Sequence, residues 1–196
     1  MTAKELLQEA FYRFDMANEQ DPNTERYQGK TYPKELLYAQ RMTEQLNAFA
    51  PEASVALQLT ARCQHICRWE IPRDSYEMNR EGYLRWRQDL KKFHAKKAAE
   101  ILSAVGYDEE TIAQVAFLLG KKQLKKNADT QTLEDVICLV FLEHYFEAFA
   151  EKHPEDKTIA ILQKTWRKMS EKGQQAALSL PLSDKASNLI KQALSA

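Results

Sequence analysis

Leu6, Leu7, Ala10, Phe11 and Phe14 recur at three- and four-residue spacing, which lays one apolar stripe along a helix from about Ala3 to Asn18. The polar run from Glu19 to Thr31 interrupts it. Pro33 then suits the first turn of a second helix, where its missing N–H costs nothing. Leu36, Leu37, Met42 and Leu46 give that helix its buried face. A third helix runs from near Pro51 to about Trp69, and Pro72 ends it by forcing the preceding residue out of helical geometry. Arg73 to Gly82 reads as a loop or single turn. Tyr83 to Val105 forms a fourth helix, stopped by Gly106. A fifth opens at Asp108-Glu109-Glu110-Thr111, with acids at its positive end, and stops at Gly120.

Lys121 to Thr130 reads as a basic connector. Thr132 is the expected N-cap of a sixth helix, with Asp135 three residues on. The body of that helix, Val136 to Leu142, is apolar on every side, which places it at the centre of a bundle. His153 to Ala196 reads as two amphipathic helices split at Gly173 or Pro181. No stretch alternates apolar and polar residues in the manner of a half-buried strand. Gly and Pro, five and six in number, fall at the breaks. The pattern predicts an all-α, single-domain multi-helix bundle. Residues 1–150 would form its core, and 151–196 a C-terminal helical extension packed on the same domain. The helices from His153 to Ala196 could also form the seam of a homodimer.

Composition narrows the partners. Lys plus Arg and Asp plus Glu both number 28, so no cationic excess recommends duplex nucleic acid. Three cysteines, Cys63, Cys67 and Cys138, make an odd count that argues for a reducing compartment rather than a disulfide framework. The stretch from Met1 to Phe14 mixes charge with apolar residues and lacks a signal-peptide core. The longest apolar run, Val136 to Leu142, is far too short for a membrane span. A cytoplasmic protein without membrane contact is the expectation.

Polar chemistry crowds into the middle of the chain. Arg62, His65 and Trp69 are spaced i, i+3, i+7 on the third predicted helix and share a face, with Arg68 beside them. His94 follows Lys91 by one turn and Arg87 by two on the fourth. Glu134 and Asp135 head the apolar sixth helix, and Asp135 aligns with Leu139 and Leu142. A buried carboxylate without a partner costs several kcal/mol, so a buried Asp135 requires an Arg, a His or a metal. A carboxylate with two imidazoles is adequate chemistry for a divalent metal, and also a serviceable acid/base pair. From Arg62 to Lys97 there are ten Lys or Arg against five Asp or Glu. The arginines Arg62, Arg68, Arg73, Arg80, Arg85 and Arg87 suit bidentate grip on phosphate or carboxylate. Trp69, Tyr76, Tyr83 and Trp86 offer stacking faces. The plainer alternatives are a satisfied buried histidine, a dipole-complementing Asp135, salt-bridged surface arginines and core tryptophans.

The segments FYRFDMANEQDPN, YPKELLYAQRM, ARCQHICRWEIPR, GYLRWRQDLKKFHA and LKKNADTQTLEDVICLVFLE carry a resemblance to the family called domain of unknown function 4202, over about Phe11 to Glu143. More distantly, the order of elements resembles an HD-type phosphohydrolase. In that superfamily a helix bundle holds a divalent metal through an early His, a His-Asp pair and a late Asp. The resemblance puts His65 at the pair's His, Asp135 at the late Asp, and His94 at an additional His. It departs where Ile66 follows His65, where Tyr38 or Gln40 stands near the early His, and where Lys121 and Lys122 stand in place of a further His.

The resemblance implies a divergent HD-like, metal-dependent phosphohydrolase acting on a small phosphorylated substrate such as a nucleotide. His65, Asp135 and Glu134 would be catalytic. His65, His94 and Asp135 would hold Mn, Mg, Zn or Fe. Arg62, Arg68, Trp69, Arg73, Arg85, Arg87 and Lys122 would bind the substrate. The alternative is a non-catalytic module that binds an anionic or phosphorylated ligand through an Arg-rich pocket. The enzyme reading requires His65, His94 and Asp135 to converge on one cavity.

Overall fold

The computed structural model describes residues 2–195. It is mostly helical, and the helices follow in the order α1 (Ala3–Asn18), α2 (Lys34–Phe49), α3 (Val55–Cys63), α4 (Arg80–Val105), α5 (Glu109–Leu119), α6 (Ala128–His144), α7 (Phe146–Glu151), α8 (Glu155–Lys168), α9 (Glu171–Leu178) and α10 (Asp184–Ser195). Local chemistry sets most of their starts. Thr2 and Glu5 form a capping box on α1. Ser54, Asn79 and Asp108 cap α3, α4 and α5 through side-chain oxygens.

Four sequence expectations need correction. One strand pair exists where none was expected: β1 (Thr24–Tyr27) and β2 (Lys30–Pro33) form an antiparallel hairpin between α1 and α2. Gln28 and Gly29 take left-handed φ values of 48° and 78° at its turn, which is what a two-residue hairpin loop demands. The strands are only four residues long and mostly polar, so periodicity could not reveal them. The third helix ends at Cys63 rather than Trp69. Asn127, not Thr132, caps α6, by accepting from the Thr130 N–H at 2.9 Å. The C-terminal stretch holds three helices, α8 to α10, instead of two.

Apolar faces gather into two cores on either side of α6. Ala10 and Phe14 of α1, Met42 and Leu46 of α2, Leu59 of α3, Leu102 of α4 and Leu118 of α5 pack against Val136 and Val140. On the other side, Cys138, Leu139 and Leu142 meet Phe146, Leu162, Met169, Ala177 and Ile190. The all-round apolar body of α6 is thereby explained, since each of its faces has a cover. No helix among the described residues is long and apolar enough to cross a membrane.

One buried cation ties the hairpin to the bundle. Arg41 on α2 is 5% exposed. It donates to Glu25 Oε1 at 2.6 Å and to the Tyr145 hydroxyl at 2.8 Å. Its guanidinium sits 4.7 Å from the Tyr27 ring centre and 5.1 Å from that of Tyr145.

Candidate functional site

The chain leaves helical geometry after Cys63, and that break builds the site. Residues 64–67 form an irregular turn that ends with Cys67 at φ 51°. The Cys67 N–H is held by Asn18 Oδ1 at 3.0 Å. The turn separates Arg62 from His65, which therefore share no helix face. Arg62 faces α1, where its Nε donates to Asp15 Oδ1 at 2.8 Å. His65 faces a cavity of about 340 Å³.

Five segments line that cavity. From α2 come Lys34, Glu35 and Tyr38; from the turn after α3, Gln64, His65 and Arg68; from α4, Arg87, Leu90, Lys91 and His94. Leu119 and Lys121 close one side, and Ile137, Phe141 and Tyr145 the other. The His65 ring lies on the Tyr38 ring, with centres 4.2 Å apart and planes 13° apart. The His94 ring follows at 6.0 Å. His65 Nδ1 stands 3.4 Å from Glu35 Oε2 and 3.4 Å from an Arg68 guanidinium nitrogen. His94 Nδ1 meets the Ile66 carbonyl oxygen at 2.8 Å and must donate to it.

These surroundings disfavour positive charge on the imidazoles. Burial, then Arg68, Lys121, Arg87 and Lys34, hold His65 well below its ordinary value. Burial, with His65 next to it, pushes His94 down to about 3. Burial raises the Glu35 carboxyl, against the pull of Arg68 and Lys34. The His65–Glu35 contact is thus no standing ion pair. Lys91 is lowered by burial, and by Lys121 and Arg87. Lys121 is lowered by burial too, although Glu134 pulls it back.

The cations are held in place by their own contacts. Arg68 lies over the Trp86 ring at 5.1 Å, and Trp86 Nε1 donates to the Ile71 carbonyl at 2.9 Å. Lys91 reaches the Gly120 carbonyl at 3.3 Å. The connector between α5 and α6 puts Lys121, Gln123 and Lys125 at φ 52°, 57° and 73°. Non-glycine residues rarely adopt that region, so the loop stores strain while it turns Lys121 inward. Lys121 Nζ then meets Glu134 Oε2 at 2.8 Å.

Of the sequence-predicted site residues, His65, His94, Arg68 and Arg87 converge on the cavity. The others do not. Asp135 turns the opposite way, toward α9: it accepts from the Ser170 N–H at 2.8 Å, from Ser170 Oγ, and from Gln131 Nε2 at 3.1 Å. Its partner is thus neither Arg, His nor metal, and a catalytic or metal-binding role beside His65 and His94 does not fit its position. Glu134 is taken up by Lys121 and by Lys168 at 3.4 Å, and burial's upward push on its carboxyl is outweighed by those lysines, which lower it. It positions Lys121 and does not line the cavity. Arg73 folds back on the carbonyls of Tyr76, Glu77 and Asn79 at 3.1, 2.7 and 3.2 Å. Arg85 pairs with exposed Glu77 at 3.5 Å, Trp69 packs on the main core, and Lys122 is exposed.

The sequence reading missed Lys34, Glu35, Gln64 and Tyr145 as wall residues, and it read Tyr38 and Lys121 only as departures. Glu35 had a usable signal, because it precedes Leu36 and Leu37 in a helix whose apolar face it joins.

The donor set does not fit a divalent metal. No group of three or more His, Cys, Asp or Glu among the described residues is placed to hold one. Lys34, Arg68, Arg87, Lys91 and Lys121 would also repel a cation from the cavity. What the arrangement can do is hold an anion beside two neutral imidazoles. Among known proteins, no curated protein and no solved structure matches the chain. Residues 8–190 match the family model described as domain of unknown function (DUF4202), and the chain belongs to that family.

Proposed function

We propose that this member of the family binds a small phosphorylated molecule in the cavity between α2, α4 and α6. The observation that carries this reading is the charge of the wall: five cations, Lys34, Arg68, Arg87, Lys91 and Lys121, face one carboxylate, Glu35. Cations gathered on one wall, four of them partly buried, gain from an anion, since charge-assisted hydrogen bonds are the strong ones. The volume, about 340 Å³, suits a phosphorylated metabolite. Arg68 and Arg87 supply forked donors, and Leu90, Leu119, Ile137 and Phe141 supply apolar walls.

The test is thermal and urea unfolding with inorganic phosphate, sugar phosphates and nucleoside monophosphates, with and without EDTA. A bound ester at about 100 times its Kd raises stability by about 2.7 kcal/mol. That gain is expected to survive EDTA, because the wall needs no metal. Arg68→Ala and Arg87→Ala should each weaken binding about tenfold, the cost of one charge-assisted hydrogen bond. No stabilisation by any phosphorylated compound overturns the reading.

Hydrolysis of the bound ester, as in an HD-type enzyme, is a second reading. One observation favours it: the neutral ring of His94, a cavity-lining residue, keeps Nε2 unprotonated. The depressed His94 pKa makes that nitrogen a weak base, so binding ranks first. Phosphate release from the same compounds decides between them. Turnover that requires added Mn²⁺ or Mg²⁺ supports the HD-type reading, and saturable binding without turnover supports the module.

A further inference from the structure

We infer that the phosphorylated ligand also carries hydroxyl groups, received by His94 Nε2 and the Gln64 side chain, which makes it a sugar or polyol phosphate. The inference rests on the anion-site reading and adds to it. His94 is 5% exposed, and its Nδ1 is committed as a donor to the Ile66 carbonyl. That bond fixes the tautomer, so Nε2 bears the lone pair. Nε2 is buried and has no hydrogen-bond partner among the described residues. Gln64, 6% exposed, likewise has a buried amide oxygen without a partner. Both side chains line the cavity that holds the five cations.

Two unpaired acceptors on cavity-lining side chains call for a ligand with donors. An ammonium would supply them, but Lys91 and Lys121, with Arg68 and Arg87, repel positive charge. A hydroxyl supplies a donor without charge. A site built to hydrogen-bond a hydroxyl rejects the analogue that lacks it, because the buried acceptor then stays unpaired.

Ribose 5-phosphate and cyclopentylmethyl phosphate have similar shape and the same phosphate, and differ in hydroxyls and ring oxygen. Calorimetric titration of the full chain should show ribose 5-phosphate binding at least tenfold tighter. In His94→Phe the preference should shrink to less than threefold, read as the ratio of the two esters' affinities for that one variant. Should His94→Phe fail to fold, nitrogen NMR of the wild-type imidazoles gives an independent readout. Ribose 5-phosphate should shift the His94 Nε2 resonance in the direction of hydrogen-bond acceptance, and cyclopentylmethyl phosphate should not. Equal affinity for the two esters overturns the hydroxyl inference and leaves the anion site standing. Failure of both esters and of inorganic phosphate to bind overturns the anion site, and the inference falls with it.

Discussion

Asp135→Ala is expected to cost about 3–5 kcal/mol of stability, because three donors lose a buried, charged acceptor. Asp135 is 2% exposed, and no cation pairs with it among the described residues. Its charge is carried by three donors, the Ser170 N–H, the Ser170 hydroxyl and Gln131 Nε2. Ser170 Oγ in turn accepts from the Gly173 N–H at 3.0 Å and so caps α9. Truncation therefore strips three donors of their acceptor and loosens the seat of α9 on α6. Hydrogen bonds to a charged group each contribute about 1.5–3 kcal/mol, and relief from burying the carboxylate offsets part of that sum. Urea unfolding followed by circular dichroism reads the loss as a lower midpoint.

Gly173 extends this prediction. A Cβ there would lie 2.6 Å from Asp135 Oδ1, inside any real contact. Gly173→Ala should destabilise the wild type by several kcal/mol and cost far less in an Asp135→Ala background. The folded Asp135→Ala protein should bind phosphate esters as the wild type does, since the carboxylate faces α9 and not the cavity. A variant of unchanged stability that has lost phosphate binding would return Asp135 to the site.

How legible was this site? The helices were, because stripes such as Leu6–Ala10–Phe14 and caps such as Asp108 act locally. The centrality of α6 was too, since only a helix covered on every face can be apolar from Val136 to Leu142. The hairpin was not, because its short polar strands have no apolar face of their own and lean on Arg41 and Tyr145. For the cavity, spacing along one predicted helix joined Arg62 to His65, and a single left-handed residue, Cys67, belongs to the turn that parts them. His65 and His94 were found as residue types, and their meeting depends on that turn. Asp135 was read as a carboxylate that needs a partner if buried; it is buried, but its partners are neutral donors rather than an Arg, a His or a metal. Two of its three donors lie on Ser170, 35 positions along the chain, where no periodicity reaches.

Acid should destabilise the fold through the same two histidines. His94 titrates near 3 when folded, against about 6.5 in an unfolded chain. Between those values the unfolded chain binds the extra proton, so stability rises with pH and is lost as pH falls from about 6.5. By pH 5 the His94 contribution alone comes to about 2 kcal/mol, at 1.36 kcal/mol for each pH unit below the unfolded value. His65, also held well down, adds in the same direction. Glu35 works the other way, because its raised carboxyl takes up a proton more readily in the folded chain. His94→Phe separates these effects. Its unfolding free energy should fall less than that of the wild type between pH 7.5 and pH 5, by about 2 kcal/mol. The lost bond to Ile66 lowers the variant's stability at every pH and so drops out of that difference. Parallel pH profiles for wild type and His94→Phe would show that His94 takes up protons as freely in the fold as outside it.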